Sequence, residues 1–120
     1  MTTAILVTAL LLGATPRNHP GLERVASEAD LLRAFGFASC LARAYSGTSF
    51  GEDGERVADL YRQMGQAPIA PYDEIRRAVV DQDWSRRALS DGKNYGIMAC
   101  LEFYESTALK RLAAKGARTQ

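Results

Sequence analysis

Apolar residues recur along this chain at the spacing of amphipathic helices. From Leu31 to Tyr45 they cover most of the circumference of a helix, and Arg33 and Arg43 are the only charges. Such a helix is buried on several sides, so we predict that it lies at the centre of the bundle or of a dimer interface. Ser27 supplies its N-cap. Gly36, which weakens a helix, is interpreted as a point of close approach by another helix.

A second amphipathic helix is predicted to start at the S-x-x-E sequence of Ser49 and Glu52, which is typical of a capping box. Apolar residues then follow at spacings of three, one and three. They predict a stripe that faces the core, formed by Val57, Leu60, Tyr61 and Met64. Gly65 ends this helix.

A third helix is predicted around Pro71, which suits a first turn. Its inward stripe is narrow and consists of Ile75, Ala78 and Val79. Beyond this stripe, residues 81–87 alternate charges around the single tryptophan, Trp84, so this half is expected to face outward. Two interpretations of Trp84 stay open: partial cover by a neighbouring helix, or an anchor for a partner protein.

Residues 90–94 have the composition of a loop, and a fourth helix follows. We expect this helix to turn inward Ile97, Met98, Leu101 and Tyr104, with Cys100 near the edge of that stripe. Ser106 marks a break before a short tail helix that carries Leu109 and Leu112. Because no segment alternates as a strand does, the predicted fold class is all-α, a small bundle of four to five helices with one disulfide.

The N-terminal residues are typical of an export signal. No charged side chain occurs before Arg17, and Ile5 to Ala14 form an apolar run that is too short to span a bilayer. We therefore expect a signal peptide at 1–16, a linker at 17–26, a helical domain at 27–116 and a tail at 117–120. Because no cysteine follows the apolar run, we expect no lipid anchor. The alternative is a buried N-terminal helix in a cytosolic protein.

The two cysteines, Cys40 and Cys100, lie on the first and fourth predicted helices. In an oxidising compartment such as the periplasm they are expected to form a disulfide that joins these helices. In the cytosol they would be small buried hydrophobic residues instead. The disulfide prediction thus depends on export.

Charge and composition favour a binding protein over an enzyme. The formal net charge is +1, from 15 Lys and Arg against 14 Asp and Glu, which gives no argument for nucleic acid or an acidic membrane surface. The single histidine, His19, lies in the linker, so a hydrolase that uses it is a minor alternative. The spacing of Cys and His fits no metal site, and we expect no cofactor.

The C-terminal motif resembles a known family. Residues 94–109 are similar to the signature of the Tai family of type VI secretion amidase immunity proteins, which reads roughly L-x-x-M-K-C-L-D-x-Y-x-S-x-x-L. The matching positions are Met98, Cys100, Leu101, Tyr104, Ser106 and Leu109. Glu102 replaces the usual Asp, and Ala99 stands where a Lys is common. Residues 31–45 resemble the first helix of the family, with Cys40 at the position of a family cysteine.

The resemblance implies a periplasmic helical protein, often a homodimer, that blocks the active-site groove of a cognate cysteine-type peptidoglycan amidase. Family members use the third helix and the loop before the fourth. The residues implied in partner binding are Glu74, Arg77, Asp81, Trp84, Ser90, Asp91, Gly92, Lys93 and Asn94. We expect the dimer to form through the apolar first helix. The alternative function is a small helical binding or chaperone module, cytosolic or periplasmic, with no enzyme target.

Overall fold

The computed structural model describes residues 27–82 and 95–118, and it confirms the all-α fold class. These residues form five helices: α1 (Glu28–Ala44), α2 (Ser49–Met64), α3 (Ile69–Gln82), α4 (Gly96–Glu105) and α5 (Thr107–Ala117).

Side-chain caps define the starts of three helices. Ser27 caps α1 as predicted, since its Oγ accepts a hydrogen bond of 3.0 Å from the Asp30 amide. The predicted capping box of α2 is wrong by one residue, because Thr48, and not Ser49, accepts from the Gly51 amide at 3.1 Å. Thr48 has the extended backbone of a cap, whereas Ser49 is already helical. Ser106 caps α5.

Helix α1 is the central element, as predicted, and packs against each of the other four helices. Its buried residues include Leu32, Phe35 and Cys40. Gly36 marks a close approach within the chain, because a Cβ there would lie 2.9 Å from Leu109 Cδ1 and 3.1 Å from Ile75 Cγ2. Most of the apolar surface of α1 is thus covered by this chain's own helices, which removes the reason for expecting a dimer through α1.

The prediction for α2 is wrong about which face is buried. Gly51, Gly54 and Ala58 face the core, whereas Val57 and the other large apolar residues of the predicted stripe are exposed or only partly buried. A Cβ at Gly54 would lie 2.9 Å from the backbone nitrogen of Ala42, so the two helices touch through their backbones. Such close packing requires residues without long side chains.

Helices α3 and α5 close the other side of α1. The predicted inward residues Ile75 and Val79 of α3 are buried, as is Leu109 of α5. Tyr72 adds a large buried side chain that sequence analysis missed, and its ring meets the edge of Phe35 with centroids 4.9 Å apart.

The pKa of the buried Tyr72 hydroxyl makes the stability of this core depend on pH, and this dependence can be tested. Burial, and secondarily the Glu28 carboxylate, raise the pKa of Tyr72 above its usual value of 10.0, although Arg62 opposes this. An acid whose pKa is raised by folding stabilises the protein below its unfolded pKa, and that contribution is lost as the pH rises through the folded pKa. Tyr72→Phe should therefore resist alkaline unfolding above about pH 10 better than the wild type.

At pH 7 the same variant should differ from the wild type by less than about 1 kcal/mol, since the buried Tyr72 hydroxyl has no hydrogen-bond partner among the described residues. Urea unfolding at pH 7 and at pH 10.5 makes the comparison. If Tyr72→Phe were markedly less stable than the wild type at both pH values, the Tyr72 hydroxyl would have a stabilising hydrogen-bond partner.

Candidate partner-binding surfaces

The predicted disulfide is confirmed. Cys40 and Cys100 are bonded, with an S–S distance of 2.09 Å and a Cα–Cα distance of 5.6 Å, and both residues are fully buried. The bond joins α1 to α4. It therefore fastens the helix that begins immediately after the predicted partner-binding loop.

The disulfide also fixes how α4 is rotated. Gly96, Ala99, Cys100 and Phe103 face inward, at successive spacings of three, one and three. The predicted inward stripe is wrong: Ile97, Met98 and Leu101 are half exposed, and Tyr104 is only partly buried. Because Cys100 must face Cys40, these neighbouring positions fall on another side of the helix.

Arg33 of α1 holds the C-terminal end of α4. Its Nη2 donates a 2.9 Å hydrogen bond to the Tyr104 carbonyl oxygen, and its guanidinium lies 4.2 Å from the centroid of the Tyr104 ring. The Glu105 carboxylate lies 3.6 Å away. A positive charge is favourable at a helix C-terminus, so this contact and the disulfide both attach α4 to α1.

Three of the residues implied in partner binding share one side of α3, since Glu74, Arg77 and Asp81 are spaced by three and four residues. Arg77 and Asp81 are exposed. Glu74 is partly buried and forms an ion pair of 3.5 Å with Lys115 of α5. We call the exposed residues Asp73, Arg77, Val80 and Asp81 the outer face of α3.

The other implied residues, Trp84 and Ser90 to Asn94, lie outside the described residues. They belong to the segment that connects the end of α3 to the start of α4.

Sequence analysis missed an exposed apolar surface on α2 and α4. We call it the outer apolar face. Its large side chains are between 37% and 55% exposed, and they are Phe50, Val57, Leu60 and Met64 of α2 with Ile97, Met98 and Leu101 of α4. The small residues at positions 51, 54 and 58 were the signal that could have revealed it, because they mark the buried side of α2.

Contacts along α1 connect the two parts of this face. The Tyr45 ring meets the edge of Phe50 with centroids 4.9 Å apart, and the Tyr45 hydroxyl accepts a 3.3 Å hydrogen bond from the Ile97 amide. Phe37 of α1, partly buried, packs against Tyr104 of α4 at 5.7 Å between centroids. Tyr45, at the end of α1, therefore links Phe50 of α2 to the start of α4.

A groove of 680 Å³ separates α2 from α3 above α1. Its walls include Arg43 and Arg76 together with the acidic Glu55 and Asp59. Arg76 and Asp59 lie 3.9 Å apart, which links α3 to α2. The opposite charges balance, so the groove favours neither an anionic nor a cationic ligand.

The described residues contain no group of three or more His, Cys, Asp or Glu that could hold a metal ion. No helix between residues 27 and 82, or between 95 and 118, is long and apolar enough to cross a bilayer. A disulfide-bonded helical scaffold with an exposed apolar face and a charged helix face is typical of a small protein that binds other proteins.

Comparison with known families agrees with this class. The chain belongs to the Tai4 family of type VI secretion system amidase immunity proteins, whose profile matches residues 30–113. This match confirms the resemblance to the Tai family. Searches of curated proteins and of solved structures found no match.

Proposed function

We propose that the protein is an inhibitor that acts in the periplasm, where it binds a cognate cysteine-type peptidoglycan amidase and protects the producing cell from lysis. The observation that carries the proposal is the family match over residues 30–113. In this proposal the protein has no enzymatic activity of its own and acts by occupying the amidase.

Two features of the chain support a periplasmic compartment. A buried disulfide between Cys40 and Cys100 is expected to form and persist in an oxidising space. The apolar run at residues 5–14 is typical of a signal peptide. Together they support export, which would bring the inhibitor to the place where the amidase attacks the cell wall.

The inhibitory surface in this proposal combines the outer face of α3 with residues 90–94. Arg77 and Asp81 place exposed charges of both signs on one side of a helix that is anchored by its buried residues. Such side chains can satisfy donors and acceptors in a catalytic groove, and a rigid helix loses little entropy when it binds.

The loop residues give a direct test of this surface. Replacing Asp91, Lys93 and Asn94 together by alanine should raise the Kd for the cognate amidase at least about tenfold, or about 1.4 kcal/mol. The melting temperature should stay nearly constant, because polar loop residues contribute little to a core. Titration calorimetry with the purified amidase makes the measurement. Unchanged affinity and unchanged protection against lysis would show that the loop is only a connection.

The proposal also includes a homodimer, which the family resemblance implies. Because α1 is largely covered within the chain, we propose that this dimer uses another surface.

A further inference from the structure

We propose that the groove between α2 and α3 binds a short zwitterionic peptide, with the peptide carboxylate against α1 and α3 and the peptide ammonium against α2. The groove measures 680 Å³, within the range of about 300–1,000 Å³ that is usual for small-molecule sites. The charged residues that line it are not those of the proposed inhibitory surface, so this site does not depend on the identity of the amidase.

Two arginines supply the positive side of the groove. Arg43 of α1 has a buried Nε atom with no hydrogen-bond partner among the described residues, and Ser39, one turn earlier, has a buried hydroxyl that also lacks one. Arg76 lines the groove from α3, and its Nη2 lies 3.9 Å from Asp59 Oδ1, which is too far for a hydrogen bond. Buried polar atoms usually have a partner, so these free donors suit an anionic group such as a carboxylate.

Two carboxylates, one helical turn apart on α2, supply the negative side of the groove. They belong to Glu55 and Asp59. Asp59 already lies close to Arg76. In contrast, none of the ion pairs within residues 27–82 and 95–118 involves Glu55. The Glu55 carboxylate is therefore available to accept hydrogen bonds from an ammonium group.

Arg43 and Glu55 lie on neighbouring helices without pairing with each other. A Cβ at Gly54 would lie 2.9 Å from the backbone nitrogen of Ala42, so the next residues along the two helices, Glu55 and Arg43, are also near each other. Their side chains nevertheless form no ion pair, although both line the groove. A ligand that carries both charges can pair with both residues, whereas a simple anion or cation would meet a like charge.

Small apolar side chains between the charges favour a peptide with small side chains. Ala42, Ala58 and Val79 line the groove, and the last two are almost fully buried. They offer apolar surface to groups of about the size of a methyl. Because consecutive Cα atoms lie about 3.8 Å apart, a dipeptide holds its ammonium and its carboxylate far enough apart to contact different sides of the groove. Alanyl-alanine is thus the simplest ligand of this class.

A titration monitored by nuclear magnetic resonance tests the site directly. Alanyl-alanine, added to the oxidised mature protein with isotope-labelled amides, should shift the signals of groove residues with a Kd of about 1 mM or below. N-acetyl-alanyl-alanine lacks the ammonium, and alanyl-alanine amide lacks the carboxylate. Each of these two compounds should bind at least about tenfold more weakly, because one of the two charged contacts is lost.

Two adjacent arginines of α3 provide matched variants. Arg76→Gln removes a charge from the groove and should weaken alanyl-alanine binding at least about tenfold. Arg77→Gln removes the same charge from the outer face of α3 and should leave the affinity unchanged. Glu55→Gln should weaken the binding of alanyl-alanine about tenfold, but not that of the N-acetyl compound, which has no ammonium. Circular dichroism checks that each variant is folded.

The two mirror-image forms of the dipeptide distinguish its sources. Tighter binding of D-alanyl-D-alanine would point to cell-wall fragments, and tighter binding of L-alanyl-L-alanine to protein fragments. Equal affinity would show that the site recognises the two charges alone, and all three results support a zwitterion site.

Three other results would contradict this site. Neither form might shift any groove signal at about 10 mM, the acetylated and amidated compounds could bind as well as the free dipeptide, or Arg76→Gln and Arg77→Gln could lose affinity equally. None of these measurements uses the amidase, so a failure here is distinct from a failure of the proposed inhibition.

Discussion

Replacing Cys40 and Cys100 together by alanine should lower the free energy of unfolding by about 4 kcal/mol, the entropy of closing a loop of this length. The two residues are 60 positions apart, and both are fully buried. Small domains have a total stability of about 5–15 kcal/mol, so this loss is a large share of the whole. Urea unfolding of the variant and the oxidised wild type gives the difference.

Helix α4 should be affected first when the bond is lost. Phe103 is its only large buried side chain, since Gly96, Ala99 and Cys100 are small. Hydrogen exchange at residues 96–105 should accelerate more in the double variant than exchange in the middle of α1. Reduced wild type is the matched control and should behave like the variant. If the variant and the oxidised wild type unfolded at the same urea concentration, the result would contradict a stabilising role of the disulfide.

Reversing a charge on the outer face of α3 should impair inhibition without unfolding the protein. Arg77→Glu is expected to weaken amidase binding about a hundredfold, if Arg77 pairs with an acceptor in the groove that would then face a like charge. Arg77 is exposed, so the melting temperature should change little.

Arg111→Glu is the matched control for this prediction. Arg111 is an exposed residue of α5, and its substitution changes the net charge of the protein by the same amount. We expect it to retain nearly wild-type affinity in titration calorimetry. An equal loss of affinity in both variants would indicate only a long-range attraction between the charges of the two proteins. Unchanged affinity in both variants would indicate that the inhibitory surface lies elsewhere.

Sequence analysis was most accurate where a predicted helix is apolar on all sides, or where a cysteine or a capping serine fixes the local structure. The composition of residues 31–45 predicted the central helix, because few charges leave little surface for solvent. The cysteine pair predicted the contact between α1 and α4. Ser27 and Ser106 marked helix starts through their capping side chains.

The errors concern which side of a helix is buried. Val57 and Leu60 form a regular apolar stripe, and periodicity alone cannot distinguish a core contact from an external interface. The small residues Gly54 and Ala58 allow closer contact with α1, so α2 turns that side inward. In α4 the disulfide decides the rotation, and Met98 and Leu101 face outward as a result.

The candidate binding site was predicted only in part. Arg77 and Asp81 share an exposed side of α3, as periodicity suggests. Glu74, in contrast, pairs with Lys115, a contact between helices far apart in sequence that no local pattern predicts. The roles of Trp84 and residues 90–94 stay predictions.

The most direct measurement of the central claim is inhibition of the proposed cognate amidase, sought among candidate amidases encoded next to this chain. Purified oxidised protein, without residues 1–16, would be added in increasing amounts to the amidase with peptidoglycan fragments as substrate. We expect amidase activity to fall to the background when the two proteins reach equal concentration, as for a tight inhibitor that occupies the active-site groove. Full activity at a tenfold excess of correctly folded, disulfide-bonded protein would contradict the proposed function.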